Sequence, residues 1–103
     1  MTFYRLSQQA DLDLDRLYMF GFFTFGDQQA DNYAVGLVKR LKDLAINPKQ
    51  WPEVQEIRAG LHRSDYNVHS IDYRIELDDI FVVRILGHQH PHVLLEVECL
   101  AHY

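Results

Sequence analysis

Apolar residues recur along this chain at two different periods, and the change of period marks its organisation. After a short alternating start at Phe3-Tyr4-Arg5-Leu6, the residues Ala10, Leu14, Leu17, Tyr18 and Gly21 keep the spacing of one helical face. Ser7 stands just before them, where its hydroxyl can accept from an unpaired amide of a first turn. The pattern predicts a helix over residues 8–23. Asp11, Asp13 and Asp15 fall in its first half, where the helix dipole favours anions. Leu12, Met19, Phe20, Phe22 and Phe23 lie off the stripe, so this helix is apolar on more than one side. Gly26 interrupts the pattern, and Asp27 is placed to cap a second helix over residues 28–46. The second stripe is cleaner: Ala30, Tyr33, Ala34, Leu37, Leu41, Leu44 and Ala45, with Lys39, Arg40, Lys42 and Asp43 between. Asn47-Pro48 ends it, because proline cannot continue the hydrogen-bond ladder and restricts the residue before it. A link as short as residues 24–27 makes the two helices antiparallel neighbours.

Beyond a loop with Trp51 and Pro52 the period drops to two. Residues 54–61 read as one strand. In residues 69–77, Ile71, Tyr73, Ile75 and Leu77 point one way and Asp72, Arg74 and Glu76 the other. Asp78-Asp79 forms a hairpin turn, and the β-branched run over residues 80–86 suits a central strand. The expected fold class is α+β: an N-terminal strand, an antiparallel helical hairpin, then a three-stranded antiparallel sheet that the first strand joins. The expected core is Leu14, Leu17, Leu37, Leu41, Leu44, Ile71, Tyr73, Ile75, Val83 and Ile85. Neither repeats nor linkers divide the chain, so one domain is expected over residues 1–103, with a core of about 3–90 and a tail at 91–103.

Composition narrows the function. A chain of 103 residues can bury one core without staples. Its single cysteine, Cys99, excludes an internal disulfide framework and suits a reducing, cytoplasmic setting. The N-terminal stretch lacks a basic segment followed by an apolar one, so no signal peptide is expected, and no apolar run is long enough to span a membrane. A formal charge of −5 argues against a general nucleic-acid binder. It leaves room for a local positive patch, because the formal cations from Arg58 to Arg84 are all arginines. Arg74 follows Tyr73 on the polar face of its strand and can pair with Asp72 or Glu76. Arg84 lies inside an apolar strand, where a lone charge is costly, so it must reach solvent or a partner. Arg58, near Glu53 and Glu56, reads as a surface charge or a contact residue.

The histidines of H-Q-H-P-H, His88, His90 and His92, have a two-residue period that would align three imidazoles on a strand. Pro91 interrupts pairing there, and no CxxC or HExxH accompanies them, so the segment reads as a polar turn and no metal or cofactor is expected. Nothing around Cys99 specifies an activated thiolate. In the tail, Val93, Leu94, Leu95, Val97 and Leu100 fit a short helix, an edge strand or a contact with a partner or second copy.

Four elements in order carry a family resemblance: Asn47-Pro48 after the helical hairpin, Arg58-Ala59-Gly60-Leu61, Tyr73-Arg74, and Val83-Arg84-Ile85-Leu86 leading to His88. Over roughly residues 3–90 the chain resembles the ParE branch of the RelE/ParE toxins of bacterial type II toxin–antitoxin systems. His62 stands where that family commonly has arginine. The resemblance implies a growth-inhibiting toxin of a plasmid-stabilisation type of system. Such a toxin inhibits DNA gyrase by protein–protein contact, without catalysis, and is neutralised by a ParD-like antitoxin in a hetero-oligomer that can hold a toxin homodimer. It implies no membrane and no sequence-specific nucleic-acid partner. On this reading Arg58, Arg74, Arg84, His88, Phe20, Phe22 and Phe23 contact target or antitoxin, the phenylalanines being alternatively plain packing residues. The other reading is a RelE-like ribosome-dependent mRNA endoribonuclease, in which Arg58, Arg74 and Arg84 hold phosphate and His88 or Tyr103 moves the proton.

Overall fold

The computed structural model describes residues 3–77 and 79–87. The order is β1 (Phe3–Leu6), α1 (Gln8–Phe25), α2 (Asp27–Ile46), a 3-10 turn (Pro48–Gln50), β2 (Leu61–Tyr66), β3 (His69–Ile75) and β4 (Asp79–Gly87). Ser7 caps α1 as its position requires, accepting from the Ala10 amide at 2.9 Å. The two helices are joined through Gly26 alone, at φ +96°, a conformation that costs glycine little. Gly26 therefore takes the cap position expected of Asp27, and Asp27 becomes the first residue of α2. This also lets α1 run on to Phe25, past the expected end.

The strands form one sheet in the order β1-β4-β3-β2. β2 and β3 are antiparallel, as are β3 and β4, but β1 lies parallel to β4, with Leu6 opposite Val82. The sheet is thus mixed. The helical hairpin covers one face. Its core holds Leu17, Leu37, Leu41, Leu44, Ile71, Tyr73, Ile80, Val82 and Ile85, with Leu14 and Ile75 packed at the margin.

Three strand expectations need correction. Residues 54–60 are a turn and not a strand: the amides of Ile57 and Arg58 bond back to the Val54 carbonyl, and the Glu53 carboxylate accepts from the Gly60 amide at 2.5 Å. Only Leu61 enters β2. Second, β3 stops at Ile75; the Glu76 amide donates to the Asp79 carbonyl at 2.8 Å, and Leu77 is 97% exposed on the bend. Third, Val82 and not Val83 is fully buried. Asp72 faces Arg84 but Tyr73 faces Val82, so Val83 is an extra residue in β4, a β-bulge. The bulge resets the alternation, so that Ile80 and Val82 point inward before it and Ile85 after it. His88, the H-Q-H-P-H run, Cys99, Tyr103 and the expected tail elements lie outside the described residues.

Candidate functional site

Two surfaces carry the residues singled out from the sequence. The first is the sheet face turned away from the helices. Register and alternation place Arg5, Arg63, Arg74, Phe81 and Arg84 there, together with Asp72. The guanidinium groups of Arg5 and Arg74 both stack on the Phe81 ring, at 4.8 and 5.0 Å from its centroid. Glu76 joins the same two arginines, at 3.2 Å from Arg5 and 3.5 Å from Arg74, and Asp79 takes the Nε of Arg5 at 2.6 Å. The Nε of Arg74 is buried without a hydrogen-bond partner. One row over, Arg63 holds Asp72 through two parallel bonds of 2.7 and 3.0 Å.

Arg84 belongs to this face by register, but its side chain turns over the sheet edge. β1 ends at Leu6, so the β4 edge beyond Val82 has no strand beside it. The start of α1 takes over that role: Ser7 donates to the Val83 carbonyl, and Asp13 accepts from the Ile85 amide at 3.0 Å. The same Asp13 carboxylate holds Arg84 through Nε at 2.7 Å and Nη2 at 3.0 Å. Asp13 is buried. Its hydrogen bond holds the Arg84 pKa above the usual value, with burial opposing. Arg84 therefore has a partner, and that partner ties α1 to the sheet. The signal was present in the sequence: Asp13 sits between Ala10 and Leu17 on the buried side of α1, a carboxylate where an apolar residue is expected.

The second surface is the tip of the helical hairpin. Phe23 is 76% exposed and Phe22 41%, their rings edge to face at 5.4 Å; Met19 and Phe25 are exposed beside them. Phe20 is half-buried and lines an apolar cleft of about 310 Å³ between the hairpin tip and the β2–β3 turn. Leu17, Phe25, Tyr33, Val68 and His69 form other walls. Tyr33 Oη and His69 Nδ1 are hydrogen-bonded at 2.8 Å, and burial pushes the Tyr33 phenol up to about 12.

Arg58 is separate from both surfaces, exposed in the turn before β2. The structure therefore brings Arg74 together with Arg5, puts Arg84 on Asp13, and leaves Arg58 apart. Arg5, Arg63 and Phe81 were not anticipated as members of the arginine face, nor Asp13 as the partner of Arg84. Among the described residues no group of three or more histidine, cysteine, aspartate or glutamate side chains is arranged to hold a metal ion.

Residues 4–91 match the family model of the ParE toxin of type II toxin–antitoxin systems, parDE. The chain belongs to the ParE toxin family. It is 31% identical over 83 residues to Toxin ParE1 of Caulobacter vibrioides, covering 81% of this chain and 85% of that one. The fold is similar to that of a chain from the chromosomal ParDE toxin–antitoxin system of P. aeruginosa, with a TM-score of 0.75. That match covers 86% of this chain and 98% of the other at 20% identity. The ParE family segment thus includes both surfaces, from Tyr4 of β1 to the end of β4, and leaves out residues 1–3 and 92–103.

Proposed function

We propose that this ParE-family toxin arrests growth by binding DNA gyrase, protein to protein, and that a ParD-like antitoxin neutralises it. Family membership over residues 4–91 is the observation that carries the reading. The chemistry of the outer sheet face supports it. A nuclease needs cations free to take up charge on a phosphate, beside an acid and a base. Here Arg5, Arg63, Arg74 and Arg84 are each held by a carboxylate of the same chain. Such a face suits recognition better than phosphoryl transfer. Arg74 and Arg58 are the arginines we assign to gyrase or antitoxin contact. Phe20, Phe22 and Phe23 are assigned to the antitoxin, whose apolar side chains they would match. No helix among the described residues is long and apolar enough to cross a membrane, which fits a target inside the cell.

The deciding experiment pairs two assays of the purified chain: gyrase supercoiling and ribosome-dependent mRNA cleavage. Inhibited supercoiling with intact mRNA, reversed by the antitoxin encoded beside this chain, is the expected result. Codon-positioned cuts with normal supercoiling would replace the reading with the RelE-like endoribonuclease. Arg74→Ala and Arg58→Ala are expected to weaken growth inhibition while leaving the fold intact.

A further inference from the structure

Arg5, Phe81 and Arg74 are register partners across β1, β4 and β3, so they form one row on the outer sheet face. The arginines of that face are not held alike. Arg63 and Arg84 each take both oxygens of one carboxylate, and Arg5 donates to Asp79 and to Glu76. Arg74 makes no side-chain hydrogen bond among the described residues. Its carboxylate neighbour is Glu76 at 3.5 Å, and Arg5 holds that same carboxylate closer, at 3.2 Å. The Nε of Arg74 is buried with no acceptor, so the protein on its own leaves a hydrogen-bonding demand at this point.

Arg74 is nevertheless kept in place. Its guanidinium lies on the Phe81 ring, 5.0 Å from the centroid, and its side chain is 42% exposed. A planar fork fixed on an aromatic ring, with its donors unspent, loses little freedom when it takes a bidentate acceptor. Carboxylate and phosphate both have that shape. Charge decides between them. Arg5 and Arg74 are already balanced by Glu76 and Asp79, and the whole chain carries −5. A run of phosphates would meet repulsion from both acids. A single carboxylate that takes the place of Glu76 leaves the balance as it was.

We propose that Arg74 receives a carboxylate from an acidic side chain of a protein partner, and that Glu76 is a placeholder that swings to solvent when that carboxylate arrives. The inference rests on the protein-to-protein reading above and gives the partner a chemistry, an aspartate or glutamate seated on Arg74. Its test uses isotope-labelled full chain titrated with hexaglutamate, hexaglutamine and inorganic phosphate. Neither gyrase nor antitoxin is present, so the test can fail while supercoiling is still inhibited, and succeed where it is not. Hexaglutamate should move the NMR signals of the Arg74 Nε–H and the Phe81 amide and reach saturation. Glu76→Gln should lower the midpoint by about fivefold, the most that an exposed ion pair is worth. Arg74→Lys keeps the charge but not the fork, and should raise the midpoint by a similar factor while the amide signals of β2 stay in place. Hexaglutamine should move neither signal. Four results would overturn the proposal: no saturable shift in Glu76→Gln, equal midpoints for the parent and Glu76→Gln, an unchanged midpoint in Arg74→Lys, or an equal shift with hexaglutamine. Phosphate saturating at a lower concentration than hexaglutamate would overturn it too, by making this a phosphate site.

Discussion

Removing the Asp13 carboxylate should cost this protein more than a surface ion pair would, and the excess has an identifiable source. Asp13→Ala deletes three hydrogen bonds at once, two to Arg84 and one to the Ile85 amide. The Arg84 side chain is 37% exposed and can turn to water, so its share is that of a surface pair, about 0–1 kcal/mol. The Ile85 amide is different. It is buried, lies beyond the reach of β1, and would lose its acceptor, at about 1–3 kcal/mol. The expected loss is therefore about 1–4 kcal/mol for Asp13→Ala, combining the two contributions. Asp13→Asn keeps an acceptor for the amide and should lose only about 1–2 kcal/mol. Arg84→Met leaves the carboxylate buried with one donor, so it too should destabilise. The double variant Asp13→Ala with Arg84→Met should lose less than the sum of the two, by about 1–3 kcal/mol, because the partners share one interaction. Urea unfolding of the parent and the four variants supplies every number. A loss below about 0.5 kcal/mol for Asp13→Ala, the range of ordinary surface changes, would refute the reasoning. So would strict additivity.

Leu41, fully buried between the helices and the sheet, should lose about 2–5 kcal/mol on replacement by alanine in the same assay. Gly36→Ala should destabilise by about 1–3 kcal/mol although alanine is the better helix former, because the new Cβ would overlap the Tyr66 hydroxyl and crowd its ring. Shortening that side chain with Tyr66→Leu should recover part of the Gly36→Ala loss; no recovery would exclude the clash as its cause. Burial pushes the Tyr33 and Tyr73 phenols up to about 12 from the ordinary 10.0. Folding therefore favours their protonated forms: the contribution is fully present below pH 10 and is lost as pH rises toward about 12. Ultraviolet absorbance should show a phenol ionisation step well above pH 10 that coincides with unfolding, and the absence of any such late step would refute this.

How much of this was legible beforehand depends on whether a feature has a period. Both helices do, and the stripe of α2 through Leu37, Leu41 and Leu44 became the centre of the core. Tyr73 and Ile71 likewise follow from alternation. The direction in which β1 pairs has no period, since alternation is the same in parallel and antiparallel strands. Nor has the bulge at Val83: two adjacent valines give no sign of which one turns inward. The stretch at 54–60 misleads because Val54 and Ile57 resemble strand residues, while the Glu53 bond to the Gly60 amide that closes the turn joins positions no pattern links.

The arginines show the same limit from the other side. Arg84 in an apolar strand announced that a partner was needed, and Asp13 on a buried helical stripe announced the same need. Each is a defect in its own pattern, and only the pairing of the two makes them one device. That device has a functional consequence. It withdraws Arg84 from the outer face and commits it to holding α1 along the open edge of β4. A growth-inhibition assay of Arg84→Ala would then report loss of fold before loss of contact. Arg74 gives the cleaner experiment. Its side chain is 42% exposed, its Glu76 pair is a long 3.5 Å, and its stacking on Phe81 is shared with Arg5. Its removal should therefore cost at most about 1 kcal/mol of stability. A variant that unfolds in urea near the parent midpoint yet no longer arrests growth would place Arg74 in the interface. If Arg74→Ala arrests growth as fully as the parent, recognition lies elsewhere, and the exposed phenylalanines of the hairpin tip become the next residues to replace.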